Sequence, residues 1–162
     1  MVTPPMPTGA DRIETTRITL AGIARNDPLD DVFARLRPFL DYAFPFPADV
    51  LTEIAADALT LTGATRAKPI SLRDAYERYL PEWTVSGNTA HQKSRAAIDL
   101  AVATHAGIEP DYDATASWWR IQDLAIHAFH TATIMIRLAA EQTATPVAAI
   151  CAKVANSRNL QL

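Results

Sequence analysis

A chain of 162 residues with 49% hydrophobic and 20% charged side chains has the balance of one globular domain, able to bury about two thirds of its unfolded surface. Its net charge of −3, with 15 scattered Lys and Arg, argues against a nucleic-acid partner, which needs concentrated positive charge. The single cysteine, Cys151, excludes an internal disulfide and the Cys-rich zinc patterns; among Ile150, Ala152 and Val154 it reads as a small buried hydrophobe.

Residues 1–10 are Pro-rich and read as a disordered lead. They lack the charged and apolar regions of a signal peptide. The longest charge-free apolar stretch, 124–136, is too short to span a bilayer, so no membrane partner and a cytoplasmic location are expected. Residues 11–26 stay ambiguous. Asp11 with Glu14 resembles a capping box, and Ile13, Thr16, Leu20 and Ile23 follow a helical period. The β-branched Ile13, Thr15, Thr16, Ile18 and Thr19 keep a short strand open.

Asp27-Pro28 reads as an N-cap followed by Pro at the first helical position. The stripe Leu29, Val32, Phe33, Leu36 and Leu40 then predicts a helix to about Tyr42, kinked near Pro38, and Phe44-Pro45-Phe46-Pro47 reads as extended. A second helix is expected from about Ala48 to Leu61, ended by Gly63. Ser71 caps a short helix to Leu80, where Pro81 stops it, and a loop with Trp83 follows.

Gly87 and Gly107 bracket a run free of Gly and Pro, which predicts a helix over about 89–106 with Gly107 at the left-handed C′ position. Asp111 or Asp113 caps a long helix over about 113–142, closing a hairpin. Thr145-Pro146 opens a short last helix to about Ala155. The fold class is therefore all-α: a single-domain bundle of five to six helices over 11–157, with a flexible tail at 158–162.

On a helical wheel, Trp118, Ile121, Leu124, Ala125, Phe129, Met135 and Ala139 of the long helix fall on one apolar arc. Arg120, Asp123, His127, His130, Arg137 and Glu141 fall opposite. Trp119, Ile134 and Leu138 intrude on that polar arc, which predicts that part of it is covered, by another segment, a second subunit or a ligand. Trp119 and Ile134 are the expected interface residues.

Asp123, His127 and His130, spaced i, i+4 and i+7, form one row with neighbouring Cβ atoms about 5–6 Å apart. Neutral imidazoles with a carboxylate suit a divalent transition metal such as zinc or nickel. In an antiparallel hairpin turning near Pro110, His91 lies level with residue 129 and completes a candidate metal set of His91, His127, His130 and Asp123. The plainer reading is a solvated or partly covered face with Asp123 pairing with His127. His105, roughly 21 Å from His91 along the axis, serves the helix C-terminus instead.

No nucleophile elbow, phosphate-cradling loop or di-iron motif is present. The leading expectation is a non-enzymatic protein acting through protein contacts, as a homodimer. The small residues Ala90, Ala97 and Ala101 would let helices approach closely. The alternative is a small metal- or ligand-dependent enzyme built on the histidine cluster.

Overall fold

The computed structural model describes residues 3–63, 72–79, 89–116 and 121–162. Every regular element among them is helical: α1 (Gly9–Ala24), α2 (Leu29–Leu36), a 3₁₀ turn (Arg37–Phe39), α3 (Ala48–Leu61), α4 (Leu72–Tyr79), α5 (Thr89–His105), α6 (Tyr112–Ala116), α7 (Ile121–Thr143) and α8 (Val147–Ser157). The all-α bundle is as expected, but it contains more helices than the five or six counted from sequence.

One extra helix comes from the ambiguous N-terminal stretch. Thr8 and Asp11 form a reciprocal capping box, three residues ahead of the Asp11–Glu14 pairing inferred from sequence, so α1 starts at Gly9. Its threonines fit a helix because their hydroxyls bond back one turn, Thr16 to the Arg12 carbonyl and Thr19 to the Thr15 carbonyl. Of the predicted 113–142 helix, the described residues are helical over 112–116 and 121–143.

Local chemistry moves other boundaries slightly. Pro28 is itself the N-cap of α2, while the Asp27 carboxylate is held by Arg25 and Arg35. Pro38 lacks an N–H, and α2 tightens into the 3₁₀ turn just before it rather than continuing kinked. Residues 40–47 form turns and bends, not an extended strand, because Phe39, Tyr42 and Phe46 draw together with ring centroids 5.4–5.9 Å apart. Gly107 takes φ +75° at the end of α5, with Ile108 N–H donating to the Ala103 carbonyl and Gly107 N–H to that of Thr104, as its placement at C′ predicts.

Helix α3 is the hub. Nine of its fourteen residues are buried, and it packs most extensively on α7, then on α5, α1 and α8. Its one charged edge, Asp49, Glu53 and Asp57, is spaced i, i+4, i+8 and meets two arginines. Arg12 of α1 reaches Asp49 at 2.9 Å and Glu53 at 3.3 Å; Arg158, after α8, reaches Asp57 at 2.7 Å and Glu53 at 3.3 Å. The α5–α7 hairpin forms, yet α7 makes its larger contact with α3. Among the described residues no helix is long and apolar enough to cross a membrane.

Candidate functional site

The polar arc of α7 is covered, and the cover comes from the same chain. Ile134 and Leu138 are 1% and 3% exposed and pack with Ala75 of α4, with Tyr79 and Ile98 alongside. Tyr79 donates from its hydroxyl to Glu141, which also pairs with Arg78. Ile134 therefore has no surface to present to a second copy, which corrects its assignment as an interface residue. Ala97 and Ala101 are likewise buried inside the chain, letting α5 approach its neighbours closely. Trp119 lies outside the described residues, as do Trp118 and Trp83.

The histidine row faces α5. His127 is 4% exposed, and its Nδ1 lies 3.3 Å from the Oγ of Ser94, which is equally buried. Burial, chiefly, pushes the His127 pKa down to about 4, helped by the nearby His130 and Lys93 and opposed by Asp123. The imidazole is therefore neutral at pH 7. Asp123 does not form the expected local bond with His127; its Oδ2 accepts from Lys93 Nζ across the hairpin at 2.9 Å. The Ser94–His127 contact sets the register of α5 on α7 and places backbone position 91, one turn earlier on α5, level with residue 130.

That register is within one residue of the sequence expectation. The side chain of His91, however, lies outside the described residues. Among the described residues no three His, Cys, Asp or Glu side chains gather in a way that could hold a metal ion. Asp123, His127 and His130 share a row without converging, because the first is drawn to Lys93 and the second to Ser94. His105 stands apart as expected, with Nδ1 3.1 Å from Thr60 Oγ1. Cys151 is buried, and burial pushes its thiol up to about 12, as a packing residue requires.

A second feature lies at the other end of the hairpin. An open groove of about 430 Å³ runs between the 44–45 segment and the α5–α6 connection. Its half-buried walls are Phe44, Pro45, Pro110 and Tyr112, with the two rings edge to face at 6.5 Å. Its exposed lining is Glu109, Asp111 and Asp113, with no cation among the lining residues. Asp111 also caps α6, its Oδ1 accepting from the Ala114 N–H at 3.0 Å. Burial, with Asp49 and Glu53 nearby, drives the Tyr112 hydroxyl up to about 12, so this ring is a neutral wall at every physiological pH.

Met6 and Ile108, 74% and 63% exposed, are the two most exposed large hydrophobic side chains described. Ile108 directly precedes the acidic lining. The Ala43 N–H donates to the Pro5 carbonyl at 2.8 Å, which ties the segment before α1 to the turn that carries Phe44 and Pro45. Sequence reasoning passed over this groove. Both halves were visible, as the Phe-Pro-Phe-Pro run and the carboxylates before α6, but one read as a connector and the other as a helix cap.

No protein-family model matches this chain, and neither curated proteins nor solved structures show a match.

Proposed function

We propose that the protein is a non-enzymatic helical module that works by holding a segment of a partner polypeptide in the groove between residues 43–45 and 108–113. The observation that carries this reading is an open groove walled by Phe44, Pro45, Pro110 and Tyr112, with the exposed Ile108 directly before its acidic lining. Exposed apolar surface concentrated at one concave place marks interaction sites on soluble proteins. A homodimer has less support than a different partner, since Ile134, Ala97 and Ala101, which favoured self-association, are occupied within the chain.

A metal-dependent enzyme is also less well supported. Asp123 is engaged by Lys93, and among the described residues no three donors gather as a zinc or nickel site needs. Elemental analysis of protein purified without chelators decides that alternative, with one equivalent of bound metal as the result in its favour.

The docking reading is tested by panning the immobilised protein against a random peptide library. Enriched peptides are expected to bind at least tenfold more weakly to the Ile108→Ser/Tyr112→Ser variant, which removes apolar surface at the groove without changing its charge. Peptides that bind both proteins equally, or no enrichment at all, would overturn it. Light scattering addresses the other occupant: a dimer abolished by Ile108→Asp would put a second copy in the groove.

A further inference from the structure

Resting on that reading of the groove, we infer that the segment it takes is basic and that an arginine side chain is its anchor. The lining carries three carboxylates within five residues, Glu109, Asp111 and Asp113, and no cation to neutralise them. Surface carboxylates such as Asp30 and Asp31 of α2 also have no ion pair among the described residues; what distinguishes the groove's three is the aromatic and proline wall beside them. At the groove, charge is left facing outward beside apolar walls. That combination is complementary to a side chain with a cationic head and an apolar stem.

Arginine fits this chemistry better than lysine. A planar guanidinium lies flat on a ring or proline face while its N–H groups fork onto a carboxylate, whereas a strongly hydrated ammonium gains less from the apolar walls. Tyr112 remains a neutral ring with its hydroxyl end among Thr52, Asp49, Glu53 and Arg12, the last held by Asp49 and Glu53, so it meets the ligand as a surface and not as a charge. Asp111 spends one oxygen on the α6 cap, which leaves Glu109 and Asp113 as the principal partners for the guanidinium. The space of about 430 Å³ is within the range of sites that bury small ligands, and suffices for one long side chain with its flanking backbone.

The test uses labelled ten-residue peptides, one alternating Arg with Ser and Ala, one with Lys in place of Arg, and one uncharged. Binding to the full chain is followed by fluorescence anisotropy at physiological salt. The Arg peptide is expected to bind about fivefold more tightly than the Lys peptide, and the Glu109→Gln/Asp113→Asn variant to lose about tenfold of that affinity. The Asp30→Asn/Asp31→Asn variant removes the same charge from the exposed first turn of α2 and is expected to bind as the parent does. Equal binding of Arg and Lys peptides, or equal losses in the two variants, would overturn the inference. Groove-dependent binding of library peptides lacking arginine, with none of the Arg peptide, would overturn it while leaving the docking function standing. Binding of no peptide at the groove would remove both.

Discussion

Among the described residues, three other than glycine adopt the left-handed region, Asn26 at φ 57°, Ala144 at 51° and Asn159 at 58°. Each follows a helix, and the next residue's N–H donates back across the turn: Asp27 to Gly22, Thr145 to Ala140 and Leu160 to Ala155, at 2.8–2.9 Å. Asn tolerates this conformation, whereas an Ala Cβ meets its own carbonyl there at a cost of about 1 kcal/mol or more. Ala144→Gly is therefore expected to stabilise the protein by about 0.5 kcal/mol once the entropy that Gly adds to the unfolded chain is subtracted, a rise of about 1–2 °C in melting temperature. An unchanged or lowered transition in calorimetry would show that the site is not strained. Sequence pattern alone could not find this position, because a helix end marked by alanine carries none of the usual punctuation.

At the level of elements, Gly22 decides how closely α1 and α2 approach. A Cβ added there would sit 2.6 Å from Cγ2 of Val32, which is fully buried. In an open helix Gly→Ala gains about 0.5–1 kcal/mol, but here the clash dominates, and Gly22→Ala is expected to cost about 1–3 kcal/mol. Adding Val32→Ala makes room, so the double variant is expected to lose less than the two single losses combined. Additive losses in denaturant melts would disprove the contact. The charged edge of α3 shows the same level of organisation. Its i, i+4, i+8 spacing is plain in the sequence, but its partners Arg12 and Arg158 come from opposite ends of the chain.

For the whole molecule, the buried His127 ties stability to pH. Its folded pKa of about 4 lies below the ordinary 6.5, so between these values the unfolded chain binds the proton and the folded chain does not. Stability from this group is fully present above about pH 6.5, falls as pH drops towards 4, and is flat below; the full loss is about 3 kcal/mol. Unfolding free energies of the parent and His127→Gln at pH 7 and pH 4.5 check the sign, with a shallower acid loss expected in the variant. Parallel losses in the two proteins would assign the acid sensitivity to other groups.

Much of this fold follows from local rules. Apolar periodicity, helix breakers and Gly107 set the helical class, the α5 boundary and the hairpin register to within about a residue, because hydrogen bonding and side-chain period act over one or two turns. Ile134 and Leu138 announced in the sequence that the α7 polar arc is covered. Only the tertiary structure decided which of the possible covers is used: α4 and α5 from the same chain, with Ser94 beside His127 and Lys93, rather than His127, on Asp123. The groove was out of reach for the same reason. Its walls stand more than sixty residues apart in sequence, and no periodic pattern records which turn comes to rest beside which helix cap.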